Sequence, residues 1–491
     1  MNHYELCVIG GGPSGYAAAM RGIDLGKKVL LVERHRLGGA GIHDGALSSK
    51  TFWEIAQDIA AARTQAQRFG CTAPEVTFAE LQAEVQAAVD RRRTQLEEQA
   101  AHLQVRGLDL IYGNAKLISP EKIEITTADG PQFVTADNIV LATGSQPRKI
   151  PSLPIDERVV LTSDGISQLK AYPESMVILG AGVIGCEFAT IFSLLGHTKV
   201  FLIDKADRIL PFEDADVVRV VEHSLEAHGV TIHRHSRLVR MDIVDERVEY
   251  ELKYNSGKTE VFHVEKALIA IGRVPNTDKI GLEAAGVKLT ERRHIFESDK
   301  DTSTSAPHIY AVGDITADIS LVNVGEMEGR YAVEEMFGIQ PRKLCYDNIS
   351  TIMFLHPEVA GVGMNETQAR AAGIAYRMAC VDYSTISRAI AMRQADGFFK
   401  VLVTDDEEMR LLGMRAIGRQ ASSAIQAVAL LISMGKGIRE LAECIHPHPS
   451  IVEGVQECVR MLLGSSILKP GSTDNRLRCG RYCEGKWEPV V

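Results

Sequence analysis

The chain has 491 residues, of which 45% are hydrophobic and 24% charged, a composition that fits a globular protein of about two to four domains. Its formal net charge of −10 argues against non-specific binding to nucleic acid or anionic membranes, and no apolar run is long enough to predict a membrane span. Nine cysteines at scattered spacings, and an N-terminus that runs into its first strand without a charged and apolar leader, predict reduced thiols and a cytoplasmic location.

Tyr4 to Ile9 reads as a short apolar strand, with Cys7 as a small core residue. Gly10-Gly11-Gly12-Pro13-Ser14-Gly15 then opens a helix, and KVLLVE forms the next strand, closed by Glu33. Strand, glycine turn, helix, strand and acid, in that order, form a dinucleotide-binding fingerprint in its proper context. Gly10 serves the tight turn, Gly12 the approach of a pyrophosphate, and Gly15 the contact of helix with strand. Pro13 and Ser14 begin a helix whose N-terminus favours an anion by about 0.3–1 kcal/mol. Glu33 is placed to accept the adenosine ribose hydroxyls.

The stretch Leu37 to Thr51, LGGAGIHDGALSSKT, follows. Gly38, Gly39 and Ala40 bring backbone close to the bound dinucleotide, and Lys50 stands where a helix begins. Phe52–Arg68 and Phe78–Leu103 have helical periodicity, the second with a solvated charged face. The runs LDLIYGNAKLI, which contains Ala115, KIEITTA and ADNIVLATGS read as strands, and Pro147, Pro151 and Pro154 mark a linker.

A second fingerprint lies in SMVILGAGVIGCEFATIFSLLG and KVFLID. Gly180, Gly182, Ile184 and Gly185 stand at its turn and Asp204 at its acid position. Two complete fingerprints predict two bound dinucleotides. An acid at Asp204 suits the free 2′-hydroxyl of NAD and repels the 2′-phosphate of NADP, so NADH is expected over NADPH. Lys205 and Arg208 close by could offset that repulsion.

These motifs resemble the flavin-dependent class I pyridine nucleotide-disulfide oxidoreductases, the family of dihydrolipoamide dehydrogenase, glutathione reductase and mercuric reductase. In that family the stretch after the first acid reads G-G-x-C-x-x-x-x-C-x-x-S-K, and its two cysteines form a redox disulfide. Here those positions hold Gly41 and Ala46, while Gly38, Gly39, Gly45, Ser49 and Lys50 keep the frame. The resemblance implies that Glu187 pairs with Lys50 beside the flavin. It implies that Thr143, Gly144 and Ser145 lie where the chain leaves the flavin domain, and that Gly272 and Arg273 lie near the nicotinamide nucleotide. Asp314 matches the acid on the flavin ribityl chain. Leu321 opens the helix that contacts the flavin ring, with Asn323 where a dehydrogenase often has His. His448 and Glu453 match the acid–base pair that works across the dimer. With its thiol partners absent, two readings of that pair stay open, catalysis and interface structure.

The expected fold is α/β, with two Rossmann-like domains and an α+β dimerisation domain. An FAD domain at 1–153 and 277–345 is split around an NAD(P) domain at 154–276, followed by a dimerisation domain at 346–465 and a polar, flexible tail at 466–491. The resemblance implies a homodimer. The expected function is oxidation of NAD(P)H through FAD with electrons passed to a non-thiol acceptor, small molecule or carrier. One alternative is a thiol or disulfide reductase working through Cys479 and Cys483 in the tail. Another is a flavin-bound protein without turnover. No metal site is expected.

Overall fold

The computed structural model describes residues 2–206, 208–297, 301–340, 342–470 and 475–489. The chain divides into two compact units. The first comprises Met1–Tyr172, Met241–Val248 and Lys266–Leu344; the second comprises Pro173–Arg240, Glu249–Glu265 and Cys345–Val491.

The first unit begins with β1 (Asn2–Ile9), α1 (Pro13–Asp24) and β2 (Val29–Glu33). A single helical turn α2 (Gly39–Ile42) leads into the long helices α3 (Ala46–Phe69) and α4 (Phe78–Leu103). A capping box sets the start of α4, where the Thr77 side chain accepts from the Glu80 N–H and Glu80 reaches back to the Thr77 N–H. Then come β3 (Leu108–Tyr112), β4 (Asn114–Leu117), β5 (Lys122–Thr127) and β6 (Gly130–Leu141). The sheet order is β3-β2-β1-β6-β5-β4, with strand Ile309–Ala311 added in parallel beside β6. β1 lies parallel between β2 and β6, and its residues Leu6 to Ile9 are buried on both faces. That double burial is why the strand reads as a continuous apolar run rather than an alternating one.

The second unit contains parallel strands Ser175–Leu179, Lys199–Ile203 and Thr231–His233, with helices Val183–Leu195 and Ala215–Ala227. It also contains an antiparallel sheet, in the order Ser350–Met353, Val359–Gly363, Leu411–Ile417, Phe398–Thr404, Tyr376–Asp382, Leu477–Cys483, Lys486–Pro489. Helix Glu453–Leu462 buries Val455, Cys458, Val459 and Met461 in the same core as Val381, Phe399 and Val401.

The last two strands of that sheet correct the expectation of a flexible tail. Leu477–Cys483 pairs along Tyr376–Asp382, and Lys486–Pro489 folds back on it. Glu484 and Gly485 form the two-residue connection, both at positive φ (50° and 81°), as a type I′ hairpin turn requires. Residues 471–474 and 490–491 of the expected tail lie outside the described residues.

Candidate active site

The first glycine turn is shaped by its lack of side chains. Gly10 has φ +110°, and a Cβ there would lie 2.3 Å from the Ala142 carbonyl oxygen. A Cβ on Gly15 would lie 1.9 Å from the Gly10 carbonyl oxygen, so the first turn of α1 packs directly on the strand end. Gly12 is the N-cap of α1, faces open space, and no side chain caps the helix. A helix start with uncapped N–H groups and no Cβ in front of it fits the pyrophosphate of a dinucleotide. Glu33 is buried, and its two oxygens accept from the N–H groups of Gly11 (2.8 Å) and His35 (2.8 Å). Gly11 was not singled out in the sequence, although its N–H is what holds the acid at the turn.

The second fingerprint repeats this design. Gly180 has φ +106°, and a Cβ on Gly185 would lie 1.8 Å from the Gly180 carbonyl oxygen. Gly182 is the uncapped N-cap of helix Val183–Leu195, with Ile184 in its first turn. Asp204 accepts from Ala181 N–H at 2.6 Å and Ala206 N–H at 2.8 Å. Arg208 is turned to backbone, donating to the carbonyls of Pro211 (3.0 Å) and Glu213 (2.8 Å). Lys205 is exposed.

Leu37 to Thr51 folds over the first turn. Gly38 N–H donates to the Gly11 carbonyl at 2.8 Å, and a Cβ on Gly39 would lie 3.1 Å from Gly12 Cα. Ala40 is exposed on α2. Gly41 has no room for a side chain, since a Cβ there would lie 2.4 Å from Cγ of Pro13. His43 is buried with Nε2 2.8 Å from the Leu37 carbonyl oxygen, and burial holds its pKa below the ordinary value. α3 begins at Ala46, six residues before the helix read from periodicity, and Ser49 Oγ donates to the Gly45 carbonyl at 2.6 Å. Lys50 stands in the first turns of α3 with Nζ 3.3 Å from Ser49 Oγ.

Residues far apart in sequence meet where the chain crosses out of and back into the first unit. Strands Ser145–Pro147 and Arg273–Pro275 pair antiparallel. Thr143 Oγ1 donates to the Asn276 carbonyl (2.7 Å), and Asn276 Nδ2 donates to the Thr143 carbonyl (2.9 Å). Ser145 Oγ donates to Asp314 Oδ2 at 2.6 Å and accepts from Arg273 Nε at 2.8 Å. Arg273 also reaches Asp164, with Nη1 3.5 Å from Oδ1. Gly272, at φ +101°, accepts from Arg148 N–H. Gly313 N–H donates to the buried Glu328 at 2.7 Å. Cβ atoms on Gly313 and Gly325 would lie 2.3 and 2.1 Å from Ser14 Oγ, so Ser14 is clasped between the turn at Asp314 and helix Val322–Met336. Leu321 is the N-cap of that helix, and no side chain caps it. Ala115 is half-buried on β4, paired with Ile125. Asn276, Asp164 and Glu328 were missed in the sequence. Asn276 ends the stretch that holds Gly272 and Arg273, and Glu328 lies on the helix that Leu321 opens, so both were legible from their motifs; Asp164 sits in no motif.

In the second unit, Glu187 is buried on helix Val183–Leu195, and Oε1 accepts from Phe354 N–H at 3.0 Å. His448 Nδ1 lies 2.6 Å from Glu453 Oε1, and Glu453 Oε2 accepts from Ser450 N–H at 2.9 Å. Burial opposes ionisation of Glu453, but the His448 ring and the Ser450 N–H outweigh it and hold its pKa below the ordinary value. The other imidazole nitrogen is left to solvent or substrate, as the His side chain is 70% exposed.

The two tail cysteines occupy one strand. Cys479 is buried opposite Ala379, and burial pushes its thiol up to about 11. Cys483 lies four residues on, roughly 13 Å away at about 3.3 Å per residue, whereas a disulfide needs Cα atoms within about 7 Å. All nine cysteines are free. The carboxylates of Asp214, Asp216 and Glu366 converge within 4.8 Å, with the Lys400 ammonium among them. Among the described residues no helix is long and apolar enough to cross a membrane.

Comparison with known proteins agrees with these features. The model described as pyridine nucleotide-disulphide oxidoreductase matches residues 4–329, and that family's dimerisation domain matches 349–459. Dihydrolipoyl dehydrogenases from Bacillus subtilis and Geobacillus stearothermophilus are 33% and 32% identical; each match covers 94% of this chain and 97% of the relative. The crystal structure of LpdA from Mycobacterium tuberculosis superposes with a TM-score of 0.85 at 28% identity, covering 94% of this chain and all of that one. The HOCl-induced flavoprotein disulfide reductase RclA of Escherichia coli does so with a TM-score of 0.83 at 26% identity, over 94% of this chain and all of RclA.

Proposed function

The chain belongs to the pyridine nucleotide-disulphide oxidoreductase family, FAD- and NAD-binding oxidoreductases with an α/β fold and a dimerisation domain, and from that premise we propose that it oxidises NADH through FAD and gives the electrons to a non-thiol acceptor. The observation that carries this reading is the stretch Leu37 to Thr51, which holds no cysteine. Gly41 and Ala46 stand where the family has its disulfide. The packing of Gly41 against Pro13 supports it, because the site is built around the missing side chain.

Gly10, Gly12, Pro13, Ser14, Gly15, Glu33, Gly39, Ala40, Ala115, Thr143, Gly144, Ser145, Asp314 and Leu321 hold FAD in this account. Gly180, Gly182, Ile184, Gly185 and Asp204 hold NADH. When bound, FAD supplies the capacity to take a hydride from nicotinamide and release two electrons to an acceptor. Lys50 contributes a positive charge beside the flavin. The His448–Glu453 pair is a ready proton donor and acceptor: its Glu is held ionised and its free imidazole face is open. For a quinone acceptor the balance is NADH, one proton and quinone giving NAD⁺ and quinol, and His448 can deliver that proton.

The preference for NADH rests on Asp204, fixed by two backbone N–H groups, and on Arg208, whose Nη2 donates to two carbonyls. The protein works as a cytoplasmic homodimer. The reading through Cys479 and Cys483 is disfavoured by their separation along one strand and by the raised pKa of Cys479, since the thiolate is the reactive form. An anaerobic screen tests the proposal: the NADH-reduced protein is mixed with quinones, dyes, a second nicotinamide nucleotide and disulfides. Reoxidation by a non-thiol acceptor supports it, and reoxidation by a disulfide alone defeats it.

A further inference from the structure

The second unit holds a cleft that this redox chemistry does not use. Its volume is about 500 Å³, and Glu366, Arg370, Met378, Arg478, Trp487 and Pro489 line it. That size lies within the roughly 300–1,000 Å³ of small-molecule sites.

Three of the lining residues, Glu366, Arg370 and Arg478, belong to a balanced charge cluster. Lys400 is fully buried, with Nζ 2.7 Å from Asp214, 2.7 Å from Asp216 and 2.9 Å from Glu366. Arg478 reaches Asp216 at 3.3 Å and donates to Cys380 Sγ at 3.1 Å. Arg370 reaches Glu366 at 3.0 Å and donates from Nε to Tyr376 Oη at 2.9 Å. Three cations thus face three carboxylates. Both oxygens of Glu366 are engaged, one by Arg370 and the Tyr376 hydroxyl and the other by Lys400. The acceptors are consumed inside the cluster, whereas Nη1 of Arg370 and both Nε and Nη1 of Arg478 have no partner among the described residues. The cleft therefore offers donors.

The apolar part of its lining includes Met378, Leu477, Trp487 and Pro489. The Trp487 indole lies over Gly480, where a Cβ would meet it at 2.2 Å, so glycine there is what admits the ring. Tyr482 stacks on Tyr376 at 5.2 Å and carries the Arg370 guanidinium 4.6 Å above its face, which fixes one arginine in position. Planar guanidinium forks beside an indole and a thioether suit a planar anion with an apolar body.

We propose that this cleft binds a small aromatic carboxylate, its carboxylate accepting from Arg478 and Arg370 and its ring lying against Trp487 and Met378. The site is independent of the reading of the redox centre.

The test titrates 4-fluorobenzoate into the full-length, flavin-loaded protein, followed by fluorine NMR and tryptophan emission. The chain has two tryptophans, Trp53 and Trp487, so a Trp487→Phe variant identifies the source of any emission change. Expected are saturable binding tighter than about 10 mM and at least about tenfold loss in Arg478→Met, as for removal of an anchoring arginine. The uncharged 4-fluorobenzyl alcohol should bind at least about tenfold more weakly than the acid. Met378→Trp, which fills the cleft without touching a charge, should abolish binding, and it decides the matter if Arg478→Met does not fold. No saturable binding by the wild type, equal binding of the alcohol, or retained binding in Met378→Trp would overturn the proposal.

Discussion

Glu33 and Asp204 are held in the same way in two separate copies of one strand–turn–helix–strand arrangement. Glu33 is the last residue of its second strand and Asp204 directly follows its own. Each accepts from the second residue of its glycine turn, Gly11 at 2.8 Å or Ala181 at 2.6 Å. Each also accepts from the N–H two residues further on, in His35 or Ala206, both at 2.8 Å. The glycine that follows each turn is equally constrained, with Cβ positions 1.9 and 1.8 Å from a carbonyl oxygen.

The two copies should therefore fail separately. Gly15→Ala forces the first turn apart, at a cost of about 1–3 kcal/mol or more, and should yield protein depleted of flavin. Gly185→Ala should keep its flavin and lose reduction by NADH. The flavin-to-protein absorbance ratio and stopped-flow bleaching separate the two. Equal flavin loss in both variants would contradict the assignment of FAD to the first turn.

Cofactor preference follows from the acid of the second copy. NADH should exceed NADPH in kcat/KM for flavin reduction, and Asp204→Ala should narrow that ratio by about tenfold, within what one nearby charge supplies at a protein surface. A wild type that prefers NADPH would mean that Lys205 or Arg208 governs the choice.

Gly41→Ala has an informative sign. Alanine in a helix is normally favoured over glycine by about 1 kcal/mol. Here the new methyl would meet the Pro13 ring at 2.4 Å, and the ring cannot swing aside. Urea unfolding should show a loss of about 1–3 kcal/mol. A gain in stability would show that the loop relaxes freely and that the absence of a side chain at this position is incidental.

His356 should make the protein sensitive to acid. Burial, and then the His228 ring set edge-on at 5.2 Å, lower its pKa from 6.5 to about 4. Between those values the unfolded chain binds more protons than the folded one. The contribution is fully present above pH 6.5 and is lost as pH falls through about 4, by at most ~3 kcal/mol. His356→Phe should flatten the urea midpoint over that range. An unchanged slope would assign acid sensitivity to other groups.

Both nucleotide turns were legible in the sequence because their geometry is local. Gly15 and Gly185 are required by a carbonyl five residues earlier, Gly10 by one neighbouring strand, and Gly10 and Gly180 by positive φ, and the acid follows at the end of the next strand. The start of α3 was read late, at Phe52, because Ala46 to Lys50 are small or polar and add little apolar periodicity. The C-terminal hairpin was missed for the opposite reason. Leu477–Cys483 is defined by its pairing with Tyr376–Asp382, about a hundred residues earlier, and alternates weakly. Glu484-Gly485 was a usable turn signal, weaker than Asn-Gly or Asp-Gly. The Asp164–Arg273–Ser145–Asp314 chain joins four segments that only the folded sheet brings together.

The most direct measurement compares dihydrolipoamide with a quinone or dye acceptor in the same preparation. Disulfide exchange needs an attacking thiolate and a second thiol, and Gly41 and Ala46 supply neither. His448 moves only protons. Lipoamide turnover should therefore be at least about a thousandfold below NADH oxidation with the artificial acceptor, as expected on losing the nucleophile of a coupled catalytic unit. It should also be unchanged in Cys479→Ser/Cys483→Ser. Lipoamide turnover comparable to that with the quinone would contradict the account, and its loss in the double variant would move the chemistry to the hairpin cysteines.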